Sequence, residues 1–364
     1  MKVIIAAAGT GGHINPGIAI ANKIKKHHKD ADITFIGTKR GLENDLVPRN
    51  GYKLKTIEAY GIKRKISMQN FKDMCKTLKS YKTARKIIEE IKPDIIIGTG
   101  GYICGPVLSG GVKLKIPTLV HESNAFPGIA VKVLSKKVNT VLAGFEDTKK
   151  RLPKAKNVVI TGTPTKVEKL NLSNEQKENL RKQFNIKNNL PIVTVFGGSQ
   201  GAESINKCLI EIINKRMNEH YQIIWAVGKN NYEQVKKAVK EEHNASIVPY
   251  IYNMDEVMNF ADLVVARSGA MTITEVAKCG KAAIFIPYPY ATENHQEYNA
   301  RVLVNSNAAK IILDKELECN KLNTEINEII KDKQKLEQMG KNAEKTAIKN
   351  VEEKIYEEIK KLIN

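Results

Sequence analysis

Tryptophan occurs once in this chain, and Phe, Trp and Tyr together make up only 6% of it. A nucleic-acid reader needs stacking platforms or a recognition motif in addition to positive charge, so charge alone does not define one here. Cysteine is also scarce. The five (Cys75, Cys104, Cys208, Cys279, Cys319) are odd in number, far apart and without a CxxC spacing. Reduced thiols in a cytosolic protein are therefore expected. No apolar run approaches 18 residues, so no bilayer-spanning helix is expected. The opening run Val3–Ala8 is too short for the core of a secretory signal. The absence of short repeats and low-complexity tracts argues against a solenoid and against general disorder.

What is present is charge of one sign in one half. The chain has 364 residues, enough for two or three domains, and carries 59 Lys and Arg against 39 Asp and Glu, a formal +20. Residues 1–160 hold 30 basic and 12 acidic side chains, whereas residues 161–364 hold 29 and 27. That asymmetry implies two units facing different partners, not an even nucleic-acid coat. At 42% hydrophobic and 27% charged, the composition is globular.

Short apolar runs alternate with helical patterns. Lys2–Ala8, Ile33–Gly37, Asp94–Ile97, Pro117–Val120 and Thr140–Leu142 read as buried strands, with helices over Gly17–His28 and Asn70–Ile91. Val- and Ile-rich strands separated by helices imply βαβ units and a parallel sheet. The turn formers Thr161-Gly162-Thr163-Pro164-Thr165 then mark a domain boundary. The pattern restarts with strands at Ile192–Phe196, Ile223–Val227, Leu263–Ala266 and Ala283–Ile286, and ends in a charged helical stretch, Glu337–Asn364. The expected fold class is α/β, with two doubly wound Rossmann-like domains over residues 1–161 and 162–342.

Both halves open with the same grammar: apolar strand, glycine-rich turn, helix. The first turn is Gly9-Thr10-Gly11-Gly12-His13, with Asn15 as the expected helix cap and Pro16 at the first helical position. Glycines allow a ligand close approach to the backbone, and the exposed N–H groups favour an anion. A dinucleotide fingerprint fails, because Ile14 stands where glycine is required and Lys39 and Arg40 stand where an NAD site wants a carboxylate. There is no P-loop either. The second turn, Gly197-Gly198-Ser199-Gln200-Gly201, adds a hydroxyl. The third is Arg267-Ser268-Gly269-Ala270-Met271-Thr272, where Thr272 is expected to open a helix with Glu275 near its first turn. A carboxylate there is either simply stabilised by the helix dipole or placed to accept both hydroxyls of a ribose. Three such turns indicate a phosphate-bearing ligand without naming it.

In order and spacing these segments resemble the MurG family of bacterial glycosyltransferases nearly end to end. The likeness covers Gly9–His13 with Pro16-Gly17, Thr99-Gly100-Gly101-Tyr102 with Gly105-Pro106, and His121-Glu122-Ser123-Asn124 with Pro127-Gly128. It continues through Gly197–Gly201, Arg267–Glu275, and Asn294-His295-Gln296-Glu297 with Asn299-Ala300. The resemblance implies a GT-B architecture with the active site between the domains. It implies inverting transfer of N-acetylglucosamine from UDP-GlcNAc to the muramyl C4 hydroxyl of lipid I, giving lipid II for peptidoglycan. It also implies a peripheral protein at the cytoplasmic membrane face, no cofactor, partners among cell-wall or division proteins, and a final helix over about 343–364 returning to the first domain. By the match, Ile251 meets uracil through its backbone, Glu275 the ribose, Ser199 and Ala270–Thr272 the diphosphate, and Gln296 the sugar. Ile273 and Thr274 belong to the same binding stretch. Thr10, Gly11, Gly12 and Asn124 close the site from the first domain. Two positions depart from the family. Its Gly-Asn-Pro-Val-Arg is Gly162-Thr163-Pro164-Thr165-Lys166 here, so Lys166 keeps a donor-binding charge but loses the planar guanidinium fork. Ser123 replaces a common Gln, a change read as neutral.

Sugar transfer needs a base for the acceptor hydroxyl and stabilisation of the leaving diphosphate, which glycine-rich helix N-termini supply without a metal. The one DxD string, Asp30-Ala31-Asp32, is remote from every glycine turn, so no metal ligand is expected. His13, directly after the first turn, is the candidate base, because imidazole titrates near working pH. The plainer alternative is a histidine that caps the turn or bonds acceptor phosphate. Glu122 is a rival base or a carboxylate that orients His13. His295 is a further rival, His121 is expected to be structural, and His27, His28, His220 and His243 are expected on the surface.

Lys53–Lys92 holds twelve basic and four acidic residues. Within it, Ile62-Lys63-Arg64-Lys65-Ile66 and Phe71 set apolar groups among cations, the composition of a surface that rests on anionic lipid at about 1 kcal/mol per well-placed cation. A soluble helix with a core-facing stripe has the same composition. Another UDP-sugar enzyme of this architecture, a glycolipid synthase or a UDP-GlcNAc epimerase, is disfavoured by the Thr99–Tyr102 and His121–Asn124 segments. A non-enzymatic nucleic-acid-binding protein lacks the aromatics. For an NAD(P) enzyme, Lys39 and Arg40 suit a 2′-phosphate, but the fingerprint is broken.

Overall fold

The computed structural model describes residues 1–59, 68–198 and 200–363, and for residues 68–78 the backbone alone. The chain divides into two compact units, Met1–Thr165 with Ile348–Asn364, and Lys166–Ala347. The boundary expected at 161/162 thus lies at 165/166, and the return to the first unit begins at Ile348 instead of 343. Thr161, Thr163 and Thr165 are buried, and Gly162 N–H donates to the Ala143 carbonyl, so this segment stays with the first unit. The charge asymmetry follows the units, with 34 basic and 16 acidic residues in the first and 25 and 23 in the second.

The first unit has one sheet built from β1 (Lys2–Ala6), β2 (Asp32–Gly37), β3 (Lys53–Thr56), β4 (Ile95–Gly98), β5 (Thr118–Glu122), β6 (Thr140–Ala143) and β7 (Val158–Ile160), in the order β3-β2-β1-β4-β5-β6-β7. The second unit has β8 (Ile192–Phe196), β9 (Gln222–Ala226), β10 (Ala245–Val248), β11 (Leu263–Ala266), β12 (Ala282–Phe285) and β13 (Ala309–Ile311), in the order β10-β9-β8-β11-β12-β13. Neighbouring strands are parallel throughout. Because successive side chains point to opposite faces, Val3, Ile5, Ile33, Phe35, Ile95 and Ile97 build one core of the first unit. Ile4, Ala6, Ile36, Ile96, Val120 and Val141 build the other. Burial on both faces is why these strands read as unbroken Val and Ile.

The last helix, Val351–Ile363, lays Ile355 and Ile359 into the first of these cores. Two fully buried isoleucines contribute about 3–6 kcal/mol relative to exposure. His27 and His28, expected on the surface, help to hold this helix. The His27 ring stacks on Tyr356 at 3.9 Å between centroids, and the Tyr356 hydroxyl lies 2.9 Å from His28 Nε2.

Strands β3, β7, β10 and β13 escaped the sequence reading, and they are the four sheet edges. Each is three or four residues long. An edge strand bonds a neighbour on one side only and is less covered, so it needs no long apolar run.

In each sheet the strand order reverses once, between β1 and β4 and between β8 and β11. At such a switch point the loops leaving the carboxyl ends diverge, and a crevice opens between them. All three glycine turns, and Thr99–Tyr102, lie at these two places.

Candidate active site

In the first unit, the helix Gly11–His27 begins six residues before its apolar pattern indicated. Thr10 is its N-cap, and Asn15 and Pro16, expected as cap and first position, lie inside it. The N–H groups of Gly11 and Gly12 therefore belong to the first turn, where the helix itself supplies no acceptor, and no acidic side chain occupies that turn. Consecutive glycines disfavour helix locally, which is why the pattern alone started it later.

His13 closes this turn. Its Nδ1 is 3.1 Å from the Ala8 carbonyl oxygen. A carbonyl only accepts, so in the neutral ring Nδ1 carries the proton and Nε2 keeps its lone pair. The Thr99 hydroxyl donates to the His13 carbonyl at 2.7 Å. Gly100 and Gly101 adopt positive φ, and a Cβ on Gly100 would sit 2.4 Å from His13 Cδ2. One on Gly101 would sit 2.9 Å from the Ala8 carbonyl oxygen. Thr99-Gly100-Gly101 is thus the seat of His13, with room for no side chain.

Glu122, expected as a rival base or as a carboxylate orienting His13, bonds its own loop. Its Oε1 accepts from the Asn124 backbone and side-chain nitrogens at 3.0 and 2.9 Å, and Oε2 accepts from Gly128 N–H at 2.9 Å. It shapes the loop carrying Asn124, while the Ala8 carbonyl orients His13. His121 is fully buried; its Nε2 donates to the Gly162 carbonyl at 2.9 Å, and the Ser123 hydroxyl lies 3.3 Å from Nδ1. Ser123, read as neutral, completes that buried pair. Burial pushes the His121 imidazole down to about 4, against the opposing pull of its bond to Gly162.

In the second unit, Gly198 and Gly201 adopt positive φ. A Cβ on Gly201 would sit 2.1 Å from the Val227 carbonyl oxygen, and one on Gly228 2.6 Å from that of Gln200, so the loops after β8 and β9 interlock. Ser199 lies outside the described residues. The helix Ala270–Cys279 starts two residues before Thr272, with Gly269 as N-cap and no acidic residue in its first turn. Ile273, Thr274 and Glu275 follow, and the Thr274 hydroxyl bonds back to the Ala270 carbonyl at 2.9 Å. Ile251 has a buried side chain in the loop after β10. Gln296 Oε1 accepts from Tyr288 N–H at 2.9 Å, leaving its NH2 group as a donor. His295 is bonded through Nδ1 to the Thr292 carbonyl at 2.7 Å. Lys166 is exposed at the start of this unit.

Arg267 is the residue whose weight the sequence did not reveal. Its Nη1 donates to the Ile286 and Pro287 carbonyls at 3.0 Å and to Asp314 at 2.5 Å, and Nη2 donates to Ser204 at 2.9 Å. It ties the loops after β11 and β12 together from beneath, and no spacing links it to Ser204 or Asp314. Of the DxD string, Asp32 bonds Lys53 at 2.8 Å, which holds its carboxyl below the usual range. Among the described residues, no group of three or more His, Cys, Asp and Glu is arranged to hold a metal ion. No helix there is long and apolar enough to cross a membrane.

Residues 3–143 match the glycosyltransferase family 28 N-terminal domain, and residues 192–355 match its C-terminal domain. Over 366 aligned positions the chain is 46% identical to a protein of Acetivibrio thermocellus, covering all of this chain and 98% of that one. That relative is named UDP-N-acetylglucosamine–N-acetylmuramyl-(pentapeptide) pyrophosphoryl-undecaprenol N-acetylglucosamine transferase. The crystal structure of Acinetobacter baumannii MurG superposes with a TM-score of 0.80 at 28% identity over 99% of each chain. The chain belongs to the MurG family. A UDP-GlcNAc 2-epimerase from Neisseria meningitidis also superposes, with a TM-score of 0.68 at 16% identity over 99% of this chain and 100% of its own. That likeness is one of fold alone, so the epimerase reading is not favoured.

Within the MurG pattern the structure separates two kinds of motif residue. Gly100, Gly101, His121, Glu122 and Arg267 hold loops in place, whereas Gly11, Gly12, His13 and Ala270–Thr272 stand at helix starts over the crevices. Ile62, Lys63, Arg64, Lys65 and Ile66 lie outside the described residues, and at Phe71 only the backbone is described.

The buried His121 makes stability depend on pH. Its folded value near 4 lies below the ordinary 6.5, so the unfolded chain takes up a proton that the folded chain refuses. The contribution is complete above pH 6.5 and is lost as pH falls towards 4, amounting to about 2 kcal/mol at pH 5. Urea midpoints at pH 7 and 5 should show that loss, and His121→Gln should shrink it; an unchanged difference in the variant would refute the assignment.

Proposed function

We infer that this chain transfers N-acetylglucosamine from UDP-GlcNAc to the C4 hydroxyl of the muramyl residue of lipid I, giving lipid II. The observation that carries this reading is the match over the whole chain to relatives named for that transfer.

The donor half-site lies on the second unit. Ile251 reads uracil through its backbone, which suits a residue whose side chain is buried. Glu275 accepts from the ribose hydroxyls, and Gln296 donates to the sugar through the NH2 that Tyr288 leaves free. The N–H groups of Ala270, Met271 and Thr272, with Ser199, receive the diphosphate; Ile273 and Thr274 continue the same wall, and Lys166 adds charge. The acceptor half-site lies on the first unit and comprises Thr10, Gly11, Gly12, Asn124 and His13. His13 Nε2 takes the C4 proton as the oxygen attacks the anomeric carbon from the side opposite UDP, which inverts that centre. Nδ1–H stays on the Ala8 carbonyl, so the imidazolium that forms has a partner already in place. Charge arriving on the departing diphosphate falls on oriented amides, and no cofactor enters this reading.

Incubation with labelled UDP-GlcNAc and a lipid I analogue is expected to yield a disaccharide lipid and UDP; a C2-epimerised sugar nucleotide instead would favour the epimerase. His13→Ala should lower kcat at least ~100-fold while calorimetric UDP-GlcNAc affinity stays within about twofold. Near-normal turnover in that variant removes His13 as base.

The same reading seats the first unit on the cytoplasmic face of the membrane as a peripheral protein, in reach of cell-wall or division proteins. Its excess of 34 basic over 16 acidic residues supports this. So do Ile129 and Val133, half exposed on a short helix beside Lys132, Lys136 and Lys137. Ile62–Ile66 and Phe71 extend the proposal. Sedimentation with vesicles should rise with anionic lipid content and fall with salt; binding indifferent to both defeats the electrostatic account.

A further inference from the structure

Glu43 is a buried carboxylate with no place in the family pattern described above. Its Oε1 accepts from the Thr38 backbone N–H at 2.8 Å and the Thr38 hydroxyl at 2.7 Å. Its Oε2 accepts from Gly9 N–H at 3.0 Å. The chain around it has been cleared: a Cβ on Gly37 would meet Glu43 Cγ at 2.6 Å, and one on Gly41 would meet Oε2 at 1.9 Å. These bonds hold its carboxyl below the usual range although burial pulls the other way. Gly9 N–H and the Ala8 carbonyl are the two ends of one peptide group. The end that Glu43 does not hold accepts the Nδ1 proton of His13 at 3.1 Å. Carboxylate, peptide and imidazole therefore form one hydrogen-bonded line across the start of the loop, and Leu42 N–H fixes the next carbonyl, that of Gly9, at 3.3 Å.

We propose that Glu43 is a positioning residue that acts on His13 through the Ala8–Gly9 peptide, fixing its tautomer and stabilising its imidazolium. The inference rests on the reading of His13 as base. An anion on the N–H end of a peptide makes the carbonyl end a stronger acceptor, as in any hydrogen-bonded chain. That carbonyl then holds Nδ1–H more firmly when Nε2 gains the acceptor proton. The arrangement does for His13 what a directly bonded carboxylate does in a catalytic triad, with a peptide between. Lys39 and Arg40 follow Thr38 on the Glu43 side. On the other, the buried His121 is close enough for its charge to interact with that of His13, and Glu122 follows it in β5. The buried Cys104 thiol bonds Gly100, whose backbone packs on the His13 ring.

The test is Glu43→Gln, which keeps the shape and removes the anion. The nitrogen-15 titration of His13, which needs no turnover, should move its midpoint down by about half a pH unit. The acid limb of the kcat profile should follow it. kcat should fall about tenfold, with KM for UDP-GlcNAc within about twofold because that half-site is on the other unit. Gly41→Ala, whose methyl displaces the intact carboxylate, should lower the midpoint in the same sense and serves if Glu43→Gln does not fold. In a His13→Ala background, Glu43→Gln should cost nothing further. If it costs the same factor with and without His13, or if the His13 midpoint does not move, the relay is wrong while the base stands. Near-normal turnover of His13→Ala would instead remove the base, and the relay with it.

Discussion

Parallel strands cannot be joined by tight turns, because each must return to the same end of the sheet before the next begins. Everything else in this molecule answers to that requirement. Within each sheet the connections between parallel strands cross a face, the crossings cover both faces, and the central strands become apolar on both sides. The carboxyl ends of all strands then lie along one edge of each sheet. Where the order reverses, at β1/β4 and β8/β11, no crossing fills the gap. The chemistry collects there because helix starts present backbone N–H groups at that edge for which the helix itself supplies no acceptor.

Glycine turns that opening into a site. At Gly100 and Gly101 the left-handed backbone and missing side chains make space for a histidine ring, and at Gly201 and Gly228 two loops pass within contact of each other's carbonyls. Beneath the loops lie buried polar groups whose desolvation must be offset by hydrogen bonds. Glu43, His121, Glu122 and Arg267 all satisfy that demand by gripping backbone, so they fix loop shape. The pairing of a bare backbone surface with buried side chains that grip the loop backbone lets the first turn of a helix stay both open and ordered.

The central strands were legible from sequence because two buried faces require uninterrupted Val and Ile. The edges β3, β7, β10 and β13 were not, since half-covered strands such as Lys53–Thr56 carry lysine and threonine without penalty. Helix starts were misplaced for a related reason. Gly11 and Gly12 are poor helix formers, and Gly17, where the pattern seemed to begin, lies inside the helix packed closely against Thr99, Ile5 and Phe35. The final helix was expected to be continuous from about 343, yet the chain breaks near Ala347 and resumes at Val351, where Ile355 and Ile359 find a core belonging to the first unit.

By itself the sequence determined the α/β class, the two halves with their unequal charge, and the loops that carry the chemistry, because each is written in residues adjacent along the chain. Periodicity and glycine spacing are local properties and survive without coordinates. Which polar side chains reach a ligand and which serve the scaffold was decided only by tertiary structure. Glu122 lies beside a motif histidine in sequence but bonds Asn124 and Gly128, whereas Glu43, thirty-four residues from Gly9, bonds its N–H. Hydrogen bonds form between groups that folding brings within about 3 Å, and chain order carries no measure of that distance.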